Sequence, residues 1–252
     1  MRRVRDVMGM PVTVDVRDAR PPAALDEAVD AVFAELARID AAYSPFRADS
    51  IVGRIDAGAL ALGDAGEEMD AILALCRSYE AETRGYFSPW RDGRFDPSGL
   101  VKGWAIDRAC RLLDERGLRR YFVDAAGDVR TRGERAPGEP WRVGIRHPVE
   151  RDKVARIVLA RDLAVATSGT YEKGAHIYDP HSGRAATELL SLTVVGPDIL
   201  DADVYATAAF AMGRGALDFV ERRTGYEAYA IDPDLRATWT SGFDALCEKI
   251  VA

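Results

Sequence analysis

The segment Asp201-Ala202-Asp203-Val204-Tyr205-Ala206-Thr207-Ala208-Ala209 is where the residue types come nearest to a reactive site. Read as a helix, it sets Asp203 and Thr207 four apart on one face. A carboxylate and a hydroxyl so placed are two hard oxygen ligands, which suits Mg²⁺ held with help from phosphate oxygens. The competing reading is a helix start, where an Asp side chain satisfies free N–H groups. Asp201 suits that role.

Three other segments carry weaker signals. In Phe95-Asp96-Pro97-Ser98-Gly99-Leu100-Val101-Lys102-Gly103-Trp104, two glycines and Lys102 lie ahead of a helix expected from about Gly103 to Arg116. N–H groups there can cradle phosphate, with Lys102 as a point charge. The spacing is not that of a P-loop, and an ordinary loop-to-helix turn with a surface Lys fits equally. In Ala166-Thr167-Ser168-Gly169-Thr170-Tyr171 a strand is expected to run into a Thr-Ser-Gly turn suited to an anion. His176 follows and can serve as a general base, hold a phosphate, or simply bond a carbonyl. His147 and His181 fall in Pro/Gly-rich turns, where exposure is expected. In Asp124-Ala125-Ala126-Gly127-Asp128, small residues and an acid end a strand, which allows a ligand close to the backbone or makes a tight turn. The elbow G-x-S-x-G, H-E-x-x-H and G-x-G-x-x-G are all missing.

These residues need elements to position them. Val12, Val14 and Val16 alternate with polar residues, as in a half-buried strand. Leu25, Ala28, Val29, Val32, Phe33, Leu36 and Ile39 form one helical stripe. Met69, Ile72, Leu73, Cys76 and Tyr79 form another, and Gly117 sits where a helix C′ residue belongs. Beyond it, short strands are expected at 121–123, 141–145, 154–159, 163–167, 176–178 and 190–195. Helices are expected over 201–212 and 216–224, then strands at 229–231 and 238–241. Strand runs beside helix runs point to an α+β fold. With no internal repeat and no long linker, the 252 residues read as a single domain, 1–252.

The net charge of −7 argues against nucleic acid or an anionic membrane as partner. Cys76, Cys110 and Cys247 are odd in number and widely spaced, so neither a disulfide framework nor a zinc site is expected. Arg2, Arg3 and Arg5 look like a signal n-region, but no apolar run long enough for a signal or membrane span follows. A cytoplasmic location is the expectation.

Taken in order, the motifs resemble the FAD:protein FMN transferase family, often called ApbE. The matches begin with Met8-Gly9-Met10, placed in the first strand, and Tyr43-Ser44-Pro45-Phe46-Arg47-Ala48-Asp49-Ser50. They continue through Leu100 to Asp107, Ala125-Ala126-Gly127-Asp128 and Trp141 to Ile145. The last are Ala166 to Tyr171, His176 to Gly183 and Ala202 to Ala208. The resemblance implies an ApbE-like fold of two intertwined α+β halves with FAD in a cleft between them. It implies Mg²⁺, or Mn²⁺, on Asp203 and Thr207, with a backbone carbonyl at Val101 completing the protein ligands. It implies FAD as substrate, with Met8, Phe46, Lys102, Asp128, Thr167, Ser168, Gly169 and His176 around it.

The implied reaction moves FMN from FAD to a threonine of a target flavoprotein, cytoplasmic on this reading, and releases AMP. Lys102 would offset pyrophosphate charge, His176 would deprotonate the threonine, and Phe46 would stack where relatives often have Tyr. Two alternatives stay open, an FAD pyrophosphatase giving FMN and AMP and a non-catalytic FAD-binding protein. Ala126, where relatives have Gly, and a short segment between Gly85 and Gly99 depart from the family pattern.

Overall fold

The alternating valines build one of the central strands of an antiparallel sheet. In the computed structural model, which describes residues 1–91, 93–150, 152–170 and 177–249, the chain opens with a hairpin of β1 (Arg2–Val7) and β2 (Met10–Val16). Helices α1 (Pro22–Tyr43), α2 (Ile51–Asp56) and α3 (Glu67–Glu82) follow, then a small hairpin of β3 (Trp90–Arg91) and β4 (Arg94–Phe95). Next come α4 (Ser98–Glu115), β5 (Tyr121–Ala125), β6 (Asp128–Arg132), β7 (Trp141–Arg146), β8 (Val154–Ala160) and β9 (Ala164–Gly169). A second small hairpin, β10 (Tyr178–Asp179) and β11 (Arg184–Ala185), leads to β12 (Ser191–Gly196) and α5 (Ile199–Met212). The described chain closes with α6 (Ala216–Glu221), β13 (Glu227–Ile231), β14 (Ala237–Trp239) and a short turn of helix at Phe243–Leu246.

Eight strands form one sheet in the order β1-β2-β5-β6-β9-β12-β13-β14, with antiparallel neighbours throughout. Strand side chains alternate between two faces. One face carries Val12, Val14, Val16, Val123, Ala125, Ala164, Ala166, Leu192 and Val194 into a large core shared with α1, α3, α4 and α5. On the other, Val165, Val195, Tyr229 and Ile231 join Trp141, Ile145 and Val158 of the β7–β8 hairpin, with Phe243 and Cys247. The sheet is therefore the middle of three layers over part of its width.

The architecture is the α+β fold expected, with several local corrections. Residues 2–7 form edge strand β1; their arginines reach across to α1, where Arg3 and Arg5 lie 2.8 and 2.6 Å from Asp30. Met8 and Gly9 are the turn between β1 and β2, both at positive φ, and not part of a strand. The strand β6 was not expected, because its Asp-Val-Arg-Thr-Arg composition hides the alternation. Helix α4 starts at Ser98, a turn earlier than its apolar stripe announces, so Lys102 and Gly103 lie inside it. Thr167, Ser168 and Gly169 belong to β9 rather than to a turn. Asp198, not Asp201, caps α5, accepting from the N–H groups of Leu200 and Asp201. Gly117 ends α4 at φ 73° as expected. All three cysteines are free and buried.

Candidate active site

Asp128 starts β6 opposite Ala125, whose side chain lies in the helix-facing core, so its carboxylate is delivered to the same face. It is 1% exposed. There it ion-pairs with the Lys102 ammonium from α4, and its Oδ1 accepts the Thr167 N–H of β9 at 2.9 Å. From the other side α5 brings Asp203, 3% exposed, whose Oδ1 stands 3.4 Å from the same ammonium. One turn further along α5, Thr207 Oγ1 lies 3.4 Å from Ser168 Oγ, a long and weak contact. Thr167 turns its hydroxyl to the opposite face, where it meets Thr193 Oγ1 at 2.9 Å. Lys102, Asp128, Thr167, Ser168, Asp203 and Thr207, spread over more than a hundred positions, thus converge where α4 and α5 cross the ends of β6 and β9.

Close helix packing fixes Asp203. Its Oδ2 accepts the Gly103 N–H at 2.8 Å. A Cβ on Gly103 would stand 3.0 Å from Asp203 Cβ and 3.1 Å from both Asp203 Oδ2 and the Ile199 carbonyl oxygen. Only a glycine lets α4 come this near. Sequence reading valued Gly103 as part of a phosphate cradle; its role is instead to anchor Asp203 across the helix crossing, which local pattern does not reveal.

The electrostatics follow from burial. Burial pushes the Asp203 carboxyl upward, with the Lys102 ammonium opposing and the nearby Asp128 carboxylate adding to the rise. Burial by itself would lower the Lys102 ammonium, but the carboxylates of Asp128 and Asp203 outweigh it and the net shift is upward. Lys102 is held charged, with its side chain still 30% exposed.

The donor set fits a small hard cation. Asp203 Oδ1, Asp128 Oδ2 and Thr207 Oγ1 are all hard oxygens. Asp128 Oδ2 accepts no aligned hydrogen bond among the described residues, its contact with Lys102 being ionic. The described residues contain no group of three or more His, Cys, Asp or Glu able to hold a metal. An ion here would need oxygens from a ligand to fill its shell, which is how Mg²⁺ binds beside phosphates.

Val101 is in the first turn of α4 with its side chain in the core, so any ligand role falls to its backbone carbonyl. Gly169 is buried at the end of β9, paired with Ser191. Met8 packs partly against the large core from the β1–β2 turn. That turn adjoins Ala126–Gly127, since the Ala126 N–H donates to the Pro11 carbonyl at 3.3 Å. Phe46 is 90% exposed. His176 lies outside the described residues. His181 is exposed as expected and packs edge-on to Tyr86, with ring centroids 4.5 Å apart. His147 is half-buried, its Nδ1 accepting from the N–H groups of Val149 and Glu150. A cavity of about 520 Å³ beside α6 and β13 is lined by none of the cluster's residues.

A half-buried lysine between two buried carboxylates, beside the Thr207 hydroxyl of a neighbouring helix, has the chemistry that suits an anionic, oxygen-rich ligand. The family model described as the ApbE family matches residues 90–230, over half of the chain, and the chain belongs to that family. It is 34% identical over 146 residues to the FAD:protein FMN transferase of Salmonella typhimurium, covering 54% of this chain and 42% of that protein. To the FAD:protein FMN transferase of Escherichia coli K12 it is 32% identical over 158 residues, 58% of this chain and 45% of the other. The match thus spans less than half the length of these curated relatives. Among solved structures, the ApbE protein of Thermotoga maritima superposes with a TM-score of 0.85 at 22% identity, covering 99% of both chains. The apo form of the Pseudomonas stutzeri flavinyl transferase ApbE gives 0.81 at 25% identity, over 97% of both.

Proposed function

We propose that the protein transfers FMN from FAD to a threonine side chain of a target flavoprotein and releases AMP. The observation that supports this most is the convergence of Lys102, Asp128, Asp203 and Thr207 on one helix-facing patch in a chain of this family. In this reading the flavin-side phosphorus is attacked by the threonine oxygen and the bond to the AMP phosphate breaks. Lys102, held charged by two carboxylates, offsets the negative charge on the pyrophosphate oxygens. Asp128 keeps the ammonium in place and ties it to β9 through the Thr167 N–H. His176 takes the threonine proton, and Phe46, with Met8, Ser168 and Gly169, contributes to the nucleotide's surroundings. Asp203 and Thr207, with the Val101 carbonyl, would hold Mg²⁺ or Mn²⁺, which when bound supplies further positive charge to the pyrophosphate.

Among the described residues no helix is long and apolar enough to cross a membrane. We read the acceptor as a cytoplasmic flavoprotein, which cell fractionation tests. The reaction is tested by incubating the protein with FAD, Mg²⁺ and a threonine-bearing acceptor peptide, with and without EDTA. The expected outcome is AMP and a covalent flavin adduct on the peptide, both lost with EDTA. AMP with free FMN and no adduct would make the protein a pyrophosphatase. Bound FAD without AMP would make it a binding protein.

A further inference from the structure

Asp203 divides its two oxygens between a backbone N–H and the Lys102 ammonium. Oδ2 is taken by the Gly103 N–H at 2.8 Å, which leaves Oδ1 as the oxygen open to a cation. That oxygen faces the Lys102 ammonium at 3.4 Å, and the same ammonium pairs with Asp128. One positive charge therefore already sits where two buried carboxylates converge.

A divalent ion ligated by Asp203 Oδ1 would lie about 2.1 Å from that oxygen. It would be within a few ångströms of the ammonium unless Lys102 moved. Like charges this close repel strongly where water is scarce. Two carboxylates and one ammonium sum to one negative charge, so adding a divalent ion turns the cluster net positive. A pyrophosphate supplies the missing negative charge, and it offers the ammonium a new partner. Lys102 rises from the same stretch of α4 as Gly103, so the group that repels the ion and the group that orients its ligand are consecutive residues.

We propose that Lys102 stands in for the divalent cation in the nucleotide-free protein, so that the cation binds tightly only together with the anionic nucleotide. The proposal rests on the reading of Asp203 and Thr207 as cation ligands. By linkage, whatever factor the nucleotide adds to cation affinity, the cation adds to nucleotide affinity. A site that stays closed to free cations avoids holding an ion where no pyrophosphate is present.

The test is Mn²⁺ binding to the free protein, followed by the electron paramagnetic resonance of unbound Mn²⁺ without nucleotide. Lys102→Met is expected to bind Mn²⁺ at least tenfold more tightly than the wild type. Because that variant leaves two buried carboxylates without a counter-charge, Lys102→Met/Asp128→Asn is measured beside it. It removes one charge of each sign and should show a gain in the same direction. Adding Asp203→Asn to either background should cancel the gain. Folded Lys102 variants with unchanged or weaker Mn²⁺ binding, while FAD-loaded wild type binds the ion, overturn the Lys102 proposal alone. No Mn²⁺ binding by any form, FAD-loaded wild type included, overturns the cation reading and the proposal with it.

Discussion

The Gly103 N–H donates to Asp203 Oδ2 at 2.8 Å across the α4–α5 crossing, with no room for a side chain on the glycine. A methyl placed there meets Asp203 and the Ile199 carbonyl at 3.0–3.1 Å. Alanine would otherwise favour the helix by up to ~1 kcal/mol. Overpacking a tight contact costs ~1–3 kcal/mol, and here the contact is partly with backbone, which yields little. Gly103→Ala is therefore expected to lower stability by roughly 1 kcal/mol net and to cut turnover by displacing the carboxylate. Urea unfolding and AMP release measure the two effects. A variant as stable and as active as the wild type would show that the helices separate freely at this point.

Asp203→Asn isolates the charge from the shape. The amide oxygen still accepts from Gly103, so the fold should hold, and loss of a buried ionisable group should make the variant no less stable without metal. Turnover should fall by at least ~10–100-fold, the loss typical of even an outer-shell metal partner. Circular dichroism against temperature and AMP release with Mg²⁺ separate the two. Full activity in Asp203→Asn would remove Asp203 from the ligand set.

Most of the framework was legible because periodicity reports burial directly. The stripe from Leu25 to Ile39 and the alternation at Val12, Val14 and Val16 each mark a face that ends in the core. What escaped was set by tertiary contact. The strand β6 reads as polar since Asp128 and Thr131 are buried by partners, Lys102 and the Leu163 carbonyl, that lie far along the chain. The start of α4 escaped because Ser98, Gly99 and Pro97 resemble a loop until Leu100 and Val101 are seen in the core. Lys102, Asp128, Asp203 and Thr207 are each legible in the sequence as candidates, and the fold brings them together. Their joining by the Gly103 anchor is not legible there.

Asp201 has a structural task that its sequence position disguised. Tyr79 of α3 and Tyr226, just ahead of β13, both donate to its carboxylate at 2.5 Å. Two charge-assisted bonds thus pin the first turn of α5, two residues before Asp203. Tyr79→Phe or Tyr226→Phe should each cost ~1.5–3 kcal/mol, the range for hydrogen bonds to charged groups. Because Asp201 keeps its other partner in each single variant, the double variant should cost more than the two singles combined. Chemical denaturation of the four proteins gives the cycle, and strict additivity would mean the two bonds act independently.

The cysteines offer a probe of opening. Burial, with a smaller contribution from the Glu80 carboxylate, pushes the Cys76 thiol up to about 12. Cys110 and Cys247 are also raised, in both cases chiefly by burial. A raised folded value means the thiols favour the folded state below the ordinary thiol value of 9.0. That contribution is lost as pH climbs from there toward the folded values. Native protein at pH 8 should be silent to a disulfide reagent and release three equivalents on unfolding. Unfolding midpoints should decline between roughly pH 9 and 11, and less so in Cys76→Ala/Cys110→Ala. Rapid labelling of native protein at pH 8 would contradict the burial.

Ala126 sits at φ 51° and Gly127 at φ 95° in the turn between β5 and β6, immediately before Asp128. A two-residue hairpin with positive φ at both positions is the type I′ pattern, which favours Asn-Gly or Gly-Gly. An alanine there holds a left-handed conformation that costs ~1–2 kcal/mol. Glycine removes that cost but adds ~0.5–1 kcal/mol of backbone entropy to the unfolded chain. Ala126→Gly should therefore stabilise the protein by up to about 1.5 kcal/mol. The methyl also stands one residue from the Gly127 N–H, which donates to Asp124 at 2.8 Å and closes the turn. If the methyl crowds a bound nucleotide, Ala126→Gly should lower KM for FAD as well as raise stability. If it strains only the turn, unfolding will shift and KM will not. A loss of stability would show that the left-handed residue is held at little cost.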